Sequence, residues 1–198
     1  SISVILIIST IIIYQQIQHA KDRDLGYKKE GLIYTSLSGK MKDNFGVIKN
    51  DLLKTGLVQN ASLSNSQVLQ LGSNSGNFEW EGKDPTKQVL ITIEGVSPEY
   101  VSTMGIHLKS GRDFYNNIQV DSNSIIINEG LARLIGKKDV IGSTISRTGG
   151  AEKHTVVGVI NDFVYNSMYA PAAPLILYAD TSNVNVLTAH VKSGSNIK

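Results

Sequence analysis

The stretch Leu32–Leu63, LIYTSLSGKMKDNFGVIKNDLLKTGLVQNASL, sets the frame for the fold. Its first part, Leu32 to Leu37, is β-rich and bounded by Gly31 and Gly39, which predicts a strand. From Asn44 to Thr55 the period changes. Phe45, Ile48 and Leu52 fall on one helical face, flanked by Val47 and Leu53, with Asp43 or Asn44 placed to cap the start and Gly56 to end it. Leu57 to Leu63 then alternates weakly as a second strand. The three elements form a β-α-β unit.

Upstream lies an apolar run, Ile2 to Ile13 (ISVILIISTIII), with no charge, Pro or Gly and only the hydroxyls of Ser3, Ser9 and Thr10. In a helix such hydroxyls bond back to carbonyls one turn earlier and cost little in lipid. A bilayer crossing needs about 20 apolar residues. The run covers part of that, so it is expected to be the end of a transmembrane helix, with Tyr14 at the interface and Lys21, Asp22, Arg23 and Asp24 in water. No basic residues precede it and no small-x-small site follows, which argues against a secretory signal. A buried helix of a soluble domain is the competing reading.

Downstream, Ser64 to Asn77 is Gly/Ser-rich and polar, expected as a mobile loop or subdomain boundary. Short strands follow at Phe78–Gly82, Gln88–Glu94, Ser124–Ile127, Ile141–Ile145, His154–Ile160, Leu175–Tyr178 and Val186–Lys192. Ser97-Pro98-Glu99 signals a short helix ending at Gly105, and Asn128 caps another that Gly136 ends. The mixture is α+β. The roughly 180 residues after the run suit one domain or two small subdomains.

Composition narrows the chemistry. Hydrophobic residues make up 41% and charged residues 18%, with a net charge of +2 and Lys and Arg scattered singly. No basic stripe exists, so nucleic acid is not an expected partner. Cysteine is absent, which excludes disulfides and thiol chemistry. No P-loop, G-x-S-x-G elbow or H-E-x-x-H helix is present. His19, His107, His154 and His190 are far apart on different elements. Glu79 and Glu81 flank Trp80 on a candidate strand and read as a solvated face, with Trp80 turned inward. In Gly111-Arg112-Asp113-Phe114, Phe114 reads as an anchor and Arg112 as the partner of a carboxylate; Asp162, Phe163 and Tyr165 read as a second aromatic anchor. No catalytic residue, cofactor site or metal site is expected.

The order of these segments resembles the first extracytoplasmic stretch of MacB/FtsX-type ABC-transporter permeases. The resemblance is carried by Leu25-Gly26-Tyr27 with Leu32-Ile33-Tyr34, Val96-Ser97-Pro98-Glu99-Tyr100 with Thr103-Met104-Gly105, and Leu108-Lys109-Ser110-Gly111-Arg112-Asp113-Phe114. Ile127-Asn128-Glu129-Gly130-Leu131-Ala132, Ile141-Gly142 and Val156 to Phe163 complete it, and Trp80 to Pro85 (WEGKDP) is similar to Bacteroidetes-type members.

The resemblance implies a periplasmic core domain carried by a permease of the bacterial inner membrane. It implies an end of transmembrane helix 1 at residues 1–18, an incomplete porter-like subdomain at 19–65 with 184–198, and an inserted β-rich subdomain at 66–183. It implies an ABC ATPase subunit on another domain or chain, a homodimer or paired permease, membrane lipid, and a periplasmic adaptor or envelope protein as partners. The ATPase domain, further membrane helices and the second half of the porter-like part would lie outside this chain. The expected function is coupling ATP hydrolysis to export or force transmission, with Gly26 as a pivot and Ser64–Asn77 and Asn166–Pro174 as contact surfaces. The alternative is a membrane-tethered extracytoplasmic sensor or ligand-binding module.

Overall fold

The computed structural model describes residues 6–15, 25–71, 73–165 and 172–192. Parts of the apolar run, His19, the charges at 21–24, residues 166–171 and residues 193–198 therefore lie outside the described residues. Helix α1 covers residues 6–15, and Thr10 Oγ1 bonds back to the Leu6 carbonyl at 2.8 Å. Its apolar side chains stand in the open, from Ile12 at 47% to Leu6 at 63% exposure. None of them is buried against protein. Among the described residues no helix is long and apolar enough to cross a membrane.

The β-α-β unit consists of β1 (Leu32–Ser36), α2 (Phe45–Lys54) and β2 (Val58–Ser64). Its strands do not pair with each other. The last strand, β11 (Val186–Val191), runs antiparallel to both and separates them, so the unit is split. Alternation sends Ala61, Leu63, Leu187 and Ala189 to one face, where Phe45, Ile48, Leu52 and Leu53 of α2 cover them. At the start of α2, Asn44 occupies the cap position but its side chain donates to the Lys40 carbonyl at 2.9 Å and makes no cap. Gly56, at φ +72°, lets the chain turn out of the helix.

The remaining strands are β3 (Asn74–Ser75), β4 (Phe78–Trp80), β5 (Ile91–Val96), β6 (Leu108–Gly111), β7 (Ser124–Asn128), β8 (Thr144–Arg147), β9 (Lys153–Ile160) and β10 (Leu175–Ala179). All join one sheet in the order β1-β11-β2-β5-β10-β7-β9-β8-β4, with β3 on β5 and β6 on β9. Helix α3 (Tyr100–Met104) packs with Val96, Ile126, Leu175, Leu177 and Phe163, while α4 (Glu129–Ile135) covers Ile125, Ile127, Val156 and Ile176. Ile125–Ile127 is buried on both faces, hence its continuous apolar spelling.

Several local expectations change. Ser64–Asn77 is not a free loop: Leu71 is buried, a 3-10 turn spans Val68–Gln70, and β3 pairs with β5. The polar composition hid a strand held by backbone hydrogen bonds. The strand expected at Ile141–Ile145 starts three residues later, because Gly142 takes φ +80° and turns the chain. Trp80 packs partly into the core, but the strand ends there, so Glu81 leaves its predicted face and meets Lys137 at 2.6 Å. The Ser97 hydroxyl does not cap α3; it accepts from Leu63 N–H at 3.0 Å.

That last bond belongs to the seam between β2 and β5, where only Ser64 and Val96 pair. Backbone bonds Asn65 N–H to Gly95 and Ser97 N–H to Leu63 close it on either side. Inside the seam Glu94 is fully buried. One of its oxygens accepts from Ser66 N–H at 2.6 Å, and the other has no hydrogen-bond partner. Desolvation pushes this carboxyl up to about 7, against 4.5 when free.

Between those two values the folded chain keeps a proton that the unfolded chain has lost. Stability therefore falls as pH rises through that window. We expect urea midpoints to drop between pH 5 and pH 8 by the equivalent of roughly 3 kcal/mol, and Glu94→Gln to flatten the profile. A wild-type profile already flat would count against the buried carboxyl.

Asn128 gives a second prediction. Its side chain makes four hydrogen bonds, donating to Asp162 Oδ1 (2.7 Å) and the Ala173 carbonyl (2.9 Å) and accepting from Leu131 N–H (3.1 Å) and Leu175 N–H (2.9 Å). Asn128→Asp removes both donors and sets a second carboxylate against Asp162. Denaturant unfolding should report a loss of about 3 kcal/mol or more.

Candidate functional site

At Leu25–Lys28 the chain is held to the sheet by a set of directed contacts. Strand β9 ends at Ile160, and Asn161 steps out of the sheet. Its backbone N–H donates to the His107 carbonyl, while its side-chain oxygen accepts from His107 N–H at 2.7 Å. This fixes the amide so that Nδ2 donates to the Gly26 carbonyl at 3.0 Å. Val164 N–H donates to the Leu25 carbonyl at 2.8 Å, and Lys28 N–H to that of Met104 at 2.9 Å. The Tyr27 ring meets Phe163 edge-on at 6.3 Å, and Phe163 leans on Tyr165 at 5.4 Å. Tyr165 donates in turn to the Ala173 carbonyl.

Gly26 sits at φ +76°, and a Cβ there would collide with the Asp162 carbonyl and lie 2.9 Å from Phe163 Cα. The expectation that Gly26 is a pivot is therefore revised: the residue is a clamped bend, closed by backbone on one side and by the Asn161 amide on the other. Its glycine is required by close approach.

The clamp is bolted to the sheet through Asp162. Its carboxylate accepts from Asn128 Nδ2, Gly130 N–H at 2.8 Å and Arg133. Glycine at 130 leaves room for that approach, since a Cβ would stand 3.3 Å from the carboxylate. Beside the clamp an apolar cleft of about 290 Å³ opens, walled by Tyr27, Leu32, Tyr34, Val68, Tyr100 and Met104.

The other residues singled out in the sequence stay apart. His107 lies on the exposed turn before β6, His154 on β9 and His190 on β11. Arg112 forms a two-pronged bond to Asp121, at 2.7 and 3.1 Å, and that buried carboxylate also takes Tyr115 N–H. Phe114 is buried beside it, so the pair closes a loop. Among the described residues no group of three or more His, Asp or Glu side chains is placed to hold a metal. Sequence reasoning saw Asp162 and Phe163 as an anchor but missed Asn161 and the role of Leu25–Lys28. The only signal was an Asn-Asp pair directly after an apolar strand.

Asn161→Ala should free Leu25–Lys28 without unfolding the sheet. Amide exchange at Lys28 and Val164 should quicken about thirtyfold, corresponding to roughly 2 kcal/mol of lost local protection, while Ile126 keeps its rate. Gly26→Ala should do the same through the steric route. Unchanged exchange at both amides in either variant would refute the clamp.

Comparison with solved structures finds the periplasmic region of MacB from Actinobacillus actinomycetemcomitans, with TM-score 0.54 and 14% identity over 89% of this chain and 81% of that one. A domain of a putative permease protein from Porphyromonas gingivalis matches with TM-score 0.50 and 18% identity, over 74% of this chain and 68% of the other. The extracellular domain of the noncanonic ABC-type transporter YknZ from Gram-positive bacteria matches with TM-score 0.50 and 16% identity, over 82% and 83%. At these identities the likeness bears on fold. A search of curated proteins finds no significant match. The family model described as MacB-like periplasmic core domain matches residues 1–198, and the chain therefore belongs to that family of ABC-transporter permease domains.

Proposed function

We propose that this chain is the extracytoplasmic transmission body of an ABC-transporter permease in a bacterial inner membrane. The observation that carries the reading is α1, an exposed and mostly apolar helix, with a segment clamped to the main sheet from Leu25, ten residues further along the chain. A helix of that kind finds its favourable surroundings in lipid. Motion of the membrane helices, driven by a partner ATPase, would reach the sheet through Leu25–Lys28 rather than dissipate at a loose linker.

In this reading residues 19–65 with 184–198 act as a porter-like part and 66–183 as an inserted β-rich part. The single β2–β5 bridge is the place where the two flex. The domain itself carries no covalent chemistry; hydrolysis belongs to the ATPase. A second permease copy is expected in the working assembly, with a periplasmic adaptor or envelope protein meeting the outer surface.

These 198 residues contain no cysteine, so labels can be placed within them once any cysteine elsewhere in the full-length permease is replaced. Full-length permease from membranes should co-purify with an ABC ATPase. Spin labels introduced at Ile8→Cys and at the exposed Val120→Cys should change separation between ADP and trapped ATP states. Asn161→Ala should broaden that distance distribution. Failure to capture any ATPase, or identical distances in both nucleotide states of an active complex, would overturn the proposal.

A further inference from the structure

The centre of the sheet has a bare patch. On the face where α2 covers β11 and β2, and α4 covers β7 and β10, the C-terminal ends of β5 and β10 lie between the two helices. The patch is the floor of a cleft of about 520 Å³, within the range of about 300–1,000 Å³ typical of small-molecule sites. Ile93, Gly95 and Tyr178 form that floor. Asn65 and Asn183 stand on one side, and Arg147, Glu152 and His154 on the β8–β9 side.

Two hydrogen-bonding atoms of these walls, Asn65 Oδ1 and His154 Nδ1, have no hydrogen-bond partner and almost no accessible surface, so a ligand reaches them only when these two side chains turn towards the cleft. His154 is held edge-on to Tyr178 at 4.9 Å, and burial pushes its imidazole below the usual histidine range. The ring is therefore neutral at pH 7, with one nitrogen to donate and one to accept. Arg147 and Glu152 lie on the same side of the cleft as that ring, and the Arg147 guanidinium stands over Phe78, 5.4 Å from its ring centre. The cleft is specific in its glycine: a Cβ at residue 95 would stand 2.8 Å from Asn65 Oδ1, so Gly95 lets the Asn65 amide lie across the floor.

We propose that this cleft is a binding site for a saccharide or a similar polyhydroxylated molecule. The walls present no single sign of charge, which disfavours an anion or a cation alone. They offer planar groups (two amides, a guanidinium, the Glu152 and Asp180 carboxylates, an imidazole), each able to span neighbouring hydroxyls that both donate and accept. The apolar floor suits the carbon-bound hydrogens of a sugar ring. The site is separate from the Leu25–Lys28 clamp, and it stands whether or not the transmission reading holds.

Saturation-transfer NMR on the 198-residue chain in detergent tests it, with glucose, N-acetylglucosamine, maltose and chitobiose at millimolar concentration as probes. At least one should receive saturation, and Arg147→Ala or Glu152→Ala should weaken its binding by about tenfold or more, with the melting temperature unchanged. Asn183→Ala, on the opposite wall, should weaken it independently. Diglycine serves as a competing chemistry read by the same transfer, and inorganic phosphate, which has no carbon-bound proton, is read by whether it displaces the sugars. Saturation of diglycine with none for the sugars would overturn the proposal. So would an absence of transfer to every sugar, or transfer that survives all three substitutions.

Discussion

The amide of Asn161 and the carboxylate of Asp162, adjacent in sequence, hold together elements that no single hydrophobic cluster could align. Asn161 joins the incoming Gly26 to the His107 turn. Asp162 reaches the opposite way, to Asn128, Gly130 and Arg133 at the start of α4. Apolar packing is non-directional and tolerates sliding by a fraction of a residue. Buried polar networks do not, because each atom has only one good position for its partner. The apolar clusters supply the bulk of the burial, and this node fixes the registry between the N-terminal entry, α4 and the start of β10.

The seam between β2 and β5 has the opposite character. One strand pair spans it, and its buried layer is polar: Ser62, Ser64, Glu94, Ser97 and Thr103 are all enclosed there or close by. The hydroxyl of Tyr100, also fully enclosed, has no hydrogen-bond partner. A surface of this kind gains less from burial than an aliphatic one and leaves more to lose by imperfect pairing. The sheet is continuous in hydrogen bonding yet uneven in strength. Directed contacts are concentrated at the clamp, and the seam carries one strand pair with a backbone bond on either side.

How legible was this in the sequence? The three elements of the β-α-β unit could be read because Phe45, Ile48 and Leu52 keep a helical period and the flanking strands are bounded by glycines. Asn128 and Gly136 announced α4 through local capping chemistry, and the structure has Asn128 accepting from Leu131 N–H and Gly136 left-handed at φ +72°. The separation of β1 from β2 by β11 was not legible, since strand order is decided by partners more than a hundred residues away. Strand β3 was hidden for a related reason: its residues are polar, and only the ladder with β5 makes it a strand. The capping role failed at Asn44 because its amide bonds the Lys40 carbonyl in the preceding turn, and at Ser97 because its hydroxyl is taken by the distant Leu63 N–H.

The pivot expected at Gly26 shows how the same residue type serves opposite ends. A glycine in an isolated linker adds freedom. A glycine whose absent Cβ is replaced by neighbouring backbone does the reverse, because the space that flexibility would need is already filled. Gly26 has the Asp162 carbonyl on one side and the Asn161 amide closing over its own carbonyl. Gly105 repeats the pattern at the next contact, where a Cβ would press on the Lys28 side chain. The glycines near the entry point thus permit tight docking, and rotation of the entering segment would require both contacts to open together. Leu25–Lys28 is thereby held to the end of β9 directly and to α4 through Asp162.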